Sequence, residues 1–134
     1  MAAENLPSQP APDVGGRHLQ DIEFLDLQAY IYLQHGLPDK AAVLLLARDL
    51  LAPDNARALL SLALAQLRSA KPGKALQTLE RLAILGAMGA EFHLVRAQAL
   101  HALEQHAESA SAMRAYVALA TKGAAPEPSS EASA

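Results

Sequence analysis

The 134-residue chain contains no cysteine and no tryptophan, and only two phenylalanines and three tyrosines. The missing thiols exclude disulfides, thiolate metal sites, iron–sulfur clusters and cysteine nucleophiles. Val, Ile and Thr together supply nine residues, so the β-branched and aromatic side chains that sheets favour are scarce. No run of basic residues occurs, and 11 basic against 14 acidic side chains give a net charge of −3. That removes the electrostatic footprint of a nucleic-acid binder. The longest unbroken apolar run, Ala41 to Ala47, falls far short of the roughly 20 residues that span a bilayer. The opening stretch MAAENLPSQPAPDVGG has neither the cationic start nor the apolar segment of a signal peptide. The expected location is cytoplasmic.

What is present is helix former. Ala (30) and Leu (24) make up 54 of the 134 residues, and both rank among the strongest helix formers. An all-α domain is expected. Residues 1–16 hold Pro7, Pro10 and Pro12 and end in Gly15-Gly16, while residues 123–134 read GAAPEPSSEASA. Both stretches are too poor in large apolar residues to offset the entropy of ordering and are expected to be disordered tails. They carry Glu4, Asp13, Glu127 and Glu131, which leaves residues 17–122 close to electrical neutrality.

Within 17–122 the chain resembles itself at a shift of 34. Ala29, Ala63 and Ala97 coincide, as do Ala41, Ala75 and Ser109, then Leu45, Leu79 and Met113, and finally Leu51, Leu85 and Leu119. Small residues in register let two helices approach closely while larger neighbours fill the space beside them. Local signals divide the segment into six helices. The first runs from about Arg17 or His18 to His35, with Asp21, Glu23 and Asp26 near its positive end. Gly36 is expected as its left-handed cap and Pro38 as the first residue of the second helix. Pro53 stops that helix, and Asp54 or Asn55 caps the third. Pro72-Gly73 is expected to separate the third from the fourth. Gly86 and Gly89 bracket the loop before the fifth (about Ala90 to Leu103), and the sixth runs from about His106 to Lys122.

Three units of 34 residues, at about 22–55, 56–89 and 90–122, resemble the tetratricopeptide (TPR) repeat. The family wants a small residue at position 8, Ala at position 20 and a large apolar residue at position 24. The first unit adds Leu25 at position 4, Tyr32 at 11, Gly36 at 15 and Pro53 at 32. The resemblance implies three tandem helical hairpins in a short right-handed superhelical solenoid. Its inner surface would be lined by the first helix of each hairpin. Carried onto this sequence, the family's groove positions select an apolar set: Leu27, Tyr30 and Leu33, then Leu60, Leu64 and Leu67, then Leu94, Val95 and Gln98. The tails are too polar and proline-rich to cover it, so a protein partner is expected there. Burial of four of these leucines contributes on the order of 1.5–3 kcal/mol each before association costs. A chaperone-tail carboxylate clamp is not expected. Its Lys and Asn places in the first repeat hold Asp26 and Tyr30, and its basic places in the third hold Glu91 and Val95. The last helix carries a small-residue face (Ala107, Ala110, Ala112, Ala115, Ala118) that is a second candidate surface for a partner helix or a second copy.

Chemistry finds little support. His18, His35, His93, His101 and His106 form no H-x-x-x-H or H-E-x-x-H pair. Ser61, Ser69 and Ser109 belong to no nucleophile arrangement that spacing reveals, and Gly15-Gly16 is no phosphate loop. Neither an enzyme nor a bound cofactor or metal is expected.

The stretch Leu33-Gln34-His35-Gly36, followed by Ala41, Leu44-Leu45-Leu46 and Leu50-Leu51, together with Arg96-Ala97-Gln98-Ala99-Leu100, resembles the SctY (YscY) export-apparatus chaperones of type III secretion. The resemblance implies a stable heterodimer with the small secreted protein SctX. It further implies docking on SctV, the major export-gate component, without nucleotide or metal. The alternatives are a translocator-type chaperone of the same secretion systems and a TPR adaptor unrelated to secretion.

Overall fold

The computed structural model describes residues 11–124. Among the described residues there are six helices and no strand: α1 (Ala11–Gln34), α2 (Pro38–Leu51), α3 (Ala56–Arg68), α4 (Pro72–Ile84), α5 (Ala90–Ala102) and α6 (His106–Ala124). The chain is all-α. Of the expected disordered tails, residues 1–10 and 125–134 lie outside the described part.

The ends of the helical region differ from expectation. Gly15-Gly16 lies inside α1 and does not close a disordered tail. α6 likewise continues through Gly123 to Ala124. Between α3 and α4 the break is Ser69–Lys71, and Pro72 with Gly73 opens α4. Proline at the first helical position starts a helix as readily as it ends one.

The three-residue turns are built alike at a spacing of 34. Gly36, Ala70 and Glu104 all take left-handed backbone, with φ of 71°, 61° and 62°. The following N–H groups of Leu37, Lys71 and Gln105 donate to the carbonyls of Tyr32, Gln66 and Leu100 at 2.8, 2.9 and 2.9 Å. Each is the same helix-terminating reversal. Only the first uses glycine, which adopts this conformation without cost. The intervening connections also follow sequence chemistry. Asn55 caps α3, its side chain accepting from the Ala58 N–H at 2.9 Å, and Gly86 closes α4 with φ of 79°.

Short reversals make sequential neighbours pack as hairpins, α1 on α2, α3 on α4 and α5 on α6, with α2–α3 and α4–α5 joining one hairpin to the next. The small residues meet at the crossings. Ala29, Ala41, Ala63, Ala75 and Ala97 are all buried, and the Ser109 hydroxyl donates to the Ala97 carbonyl at 2.7 Å. Beside them Leu45, Leu59, Leu62, Leu79, Leu82 and Phe92 form one continuous core, and Leu76 links it to a smaller cluster of Ala97, Leu100 and Ala112. In the Leu45, Leu79 and Met113 register the first two are buried, but Met113 is 37% exposed, with no helix packed beyond α6 among the described residues. The fourth register, Leu51, Leu85 and Leu119, is partly exposed in every hairpin.

Polar contacts fasten the second hairpin. The Thr78 hydroxyl donates to Gln66 Oε1 at 2.6 Å, both residues being buried. Arg81 on α4 donates to both carboxylate oxygens of Asp49 on α2 and to Asp54 in the connection between α2 and α3, at 2.8–3.1 Å. The Arg81 hydrogen bonds hold the Asp49 carboxyl below its ordinary value, helped by the Asp54 N–H and opposed by partial burial.

Two stability outcomes are expected. Ala63→Leu overpacks the α3–α4 crossing and lowers unfolding free energy by about 1–3 kcal/mol in urea titration. Ala70→Gly relieves left-handed backbone on a residue with a Cβ and raises it by roughly 0.5–1 kcal/mol.

Candidate protein-binding groove

Three adjoining hollows lie along α1, α3 and α5. Between α1 and α3 a 400 Å³ hollow is bounded by Asp26, Tyr30, Leu33, Arg57 and Ser61 over a floor that includes Ala29 and Leu45. Between α3 and α5 a 340 Å³ hollow is bounded by Leu60, Ser61, Leu64, Arg68, Glu91, Leu94, Val95 and Gln98. A third, of about 510 Å³, continues from Leu60 and Glu91 toward the α4–α5 connection, over Leu82 and Phe92. Shared lining residues make the surface continuous: Ser61 joins the first two hollows, Leu60 and Glu91 the last two, and Arg57 the first and the third.

The hollow between α1 and α3 reflects uneven spacing. α3 packs directly on α5, whereas α1 and α3 make far less direct contact. Tyr30 and Leu33 stand along that seam.

The nine residues expected in the groove separate into four kinds. Leu60, Leu64, Leu94 and Gln98 are brought together on one wall-and-floor surface. Val95 joins them only as floor, because at 5% exposure it belongs to the core. Tyr30 and Leu33 line the neighbouring hollow. Leu27 and Leu67 lie apart from all three hollows: Leu27 is exposed on α1, and Leu67 is partly buried against the core. Leu33, Leu60, Leu64 and Leu67 all pack in part against that core. A partner therefore gains roughly half of the 1.5–3 kcal/mol that full burial of a leucine contributes.

Charge in the groove is sparse and partly committed. Arg57, Arg68 and Glu91 stand around the α3–α5 hollows. Asp26, placed by its repeat position among the groove residues, accepts from Arg48 Nε at 2.8 Å and Nη2 at 3.3 Å. Arg48 is buried on α2 and also donates to the Ala52 carbonyl at 3.2 Å, closing the end of its own helix. The Arg48 partnership was not legible from spacing, since an Asp and an Arg 22 residues apart on two helices carry no local signature.

The histidines are dispersed. His35 Nδ1 lies 2.9 Å from the Ile31 carbonyl at the end of α1, in keeping with a capping role. His18 Nε2 is 2.9 Å from the Leu51 carbonyl. His101 and His106 meet edge to face with ring centroids 5.2 Å apart. Among the described residues no group of three or more His, Asp or Glu side chains is arranged to hold a metal ion, and no helix is long and apolar enough to cross a membrane.

The residues that sequence reasoning passed over are the exposed apolar ones away from the groove. Phe24 and Ile31 on α1, and Val43, Leu46 and Leu50 on α2, stand at i, i+3/i+4 and i+7 spacing on outward faces. Their spacing was visible, but it does not say whether another hairpin lies over them.

No protein-family model matches the chain, and no curated protein matches it.

Removal of the acid beneath the first hollow tests how the groove is held. Asp26→Ala leaves the buried Arg48 guanidinium without its carboxylate and is expected to cost roughly 1–2 kcal/mol in chemical denaturation, tempered by the partial exposure of Asp26. Arg48→Met is expected to cost less.

Proposed function

We propose that the protein is a TPR-type binding module that holds an apolar, helical segment of another protein along the concave face of α1, α3 and α5. The observation that carries this reading is the continuous groove in which Leu60, Leu64 and Leu94 line a hollow that only Arg68, Glu91 and a few neutral polar side chains border. Hollows of 340–510 Å³ accept anchoring side chains in the manner of helix-in-groove recognition, with anchors at i, i+3/i+4 and i+7 of the partner. The TPR reading draws support from the 34-residue recurrence of left-handed turns at Gly36, Ala70 and Glu104 and of buried alanines at Ala29, Ala63 and Ala97. All-α hairpins with such recurrence stack into solenoids with extended concave faces.

The specific form of the proposal is a cytoplasmic chaperone of the SctY kind in type III secretion. It would bind a small SctX-like protein as a heterodimer, keep its apolar helices out of water, and present the pair to an SctV-like export gate. This form rests on the sequence resemblance, with the apolar groove supplying a physical means of holding. No catalytic step or cofactor enters the mechanism. Binding energy comes from apolar burial, and Arg57, Arg68 and Glu91 set orientation from the rim.

Co-purification tests the proposal. The tagged protein drawn from its own cells is expected to bring down a small helical partner in one-to-one ratio, identified by mass spectrometry. Leu64→Glu is expected to abolish that complex with unchanged helicity by circular dichroism, while Leu50→Glu on the outer face of α2 leaves it intact. Normal binding by Leu64→Glu would refute the groove as the site.

A further inference from the structure

The two ends of the helical stack expose the two halves of a contact that the protein already makes internally. Under the 34-residue register Phe24 on α1 is the counterpart of Phe92 on α5, and Ile31 is the counterpart of Ala65 and Ala99. Phe92 is 6% exposed in the core beside Leu79 and Leu82 of α4, and Ala65 and Ala99 are fully buried. Phe24 is 60% exposed and Ile31 36% exposed, with no hairpin against them among the described residues.

The opposite end is the complement. The α4 surface around Phe92 consists of Leu76, Leu79 and Ala83. Their counterparts on α6 are Ala110, Met113 and Val117, and Ala110 is exposed, Met113 37% exposed and Val117 52% exposed. An uncovered face of a stacked array needs polar residues to remain apart in water, and the exposed faces of α1 and α6 carry Phe24, Ile31, Met113 and Val117.

The geometry points to head-to-tail self-association: α6 of one copy seats on α1 of the next and repeats the α4–α5 contact between molecules. Three observations favour a second copy as the occupant. The shapes derive from a contact already realised inside the chain. The charges do not oppose it. Within the protein Glu80 and Arg96 border the same hollow at the α4–α5 contact. Their counterparts at the junction, Arg114 and Gln28, bring no like charges together. Finally, residues 1–10 contain only Met1 and Leu6 as large apolar side chains, and residues 125–134 contain none, so the chain's own ends are poor covers. The inference uses the repeat register alone and stands apart from the groove reading.

Such a contact joins unlike faces, so it does not stop at two copies unless a ring closes. Sedimentation velocity and light scattering on the full chain over a concentration series up to millimolar test it. The average mass is expected to rise progressively beyond that of a dimer. Phe24→Glu and Val117→Glu, both at exposed sites and checked for helicity, are each expected to give monomers, with Ile31→Glu as a second variant of the α1 face. Mixing Phe24→Glu with Val117→Glu is expected to restore association and to stop at a one-to-one pair, because one variant keeps an intact α6 face and the other an intact α1 face. A wild-type chain that stays monomeric throughout the series overturns the inference. So does a dimer lost in Phe24→Glu, retained in Val117→Glu and not restored by mixing, since that outcome describes a symmetric α1–α1 contact.

Discussion

The close crossing of paired helices at small residues is the constraint on which the remaining structure depends. Ala29 with Ala41, Ala63 with Ala75, and Ala97 with Ser109 bring each hairpin together. Any larger side chain there would push the helices apart and open the leucine layer beside them. Close crossing fixes where Leu45, Leu62, Leu79 and Leu82 fall, and thereby which faces of α3 and α5 are left over. Leu60 and Leu64 are those leftovers, half in the core and half in the groove, with Leu94 lining the groove beside them. The candidate site is thus a by-product of the packing that makes the hairpins.

This origin has a cost and a consequence. A groove residue that also supports the core presents only part of its surface, so affinity for a partner must come from length of contact. The concave face suits that, because its hollows adjoin along three helices. Fixed charges are few, and Asp26 is tied to Arg48. On the proposed reading, the surface would discriminate by apolar spacing more than by charge.

The helices and most of their boundaries were legible because the signals are local. Gly36, Pro38 and Asn55 each act within one turn, and the Ala/Leu composition leaves no competing strand pattern. The same locality explains the errors. Pro72-Gly73 and Gly15-Gly16 read as breaks from residue type alone, yet proline is suited to a helix start and glycine carries only a modest penalty inside a helix. Left-handed Ala70 and Glu104 were invisible, since neither residue type favours that backbone and the fold imposes it. In the groove, the repeat positions taken from the TPR resemblance select Leu60 and Leu64, which line a hollow. Burial of Val95, isolation of Leu27 and the Asp26–Arg48 pair depend on distances between helices, which a single sequence does not encode. The exposed Phe24 face eluded sequence reasoning for a related reason: its counterpart Phe92 is core, and repeat position alone does not tell the two apart.

The central claim is that the concave face, and not the convex one, receives the partner. Photo-cross-linking in the native cells tests it most directly, with a photoreactive amino acid placed in turn at Leu64 in the groove and at Leu50 on the outside of α2. The account predicts a discrete cross-linked product from position 64, mapped by mass spectrometry to an apolar helical stretch of the partner, and none from position 50. Cross-linking confined to position 50 would contradict it.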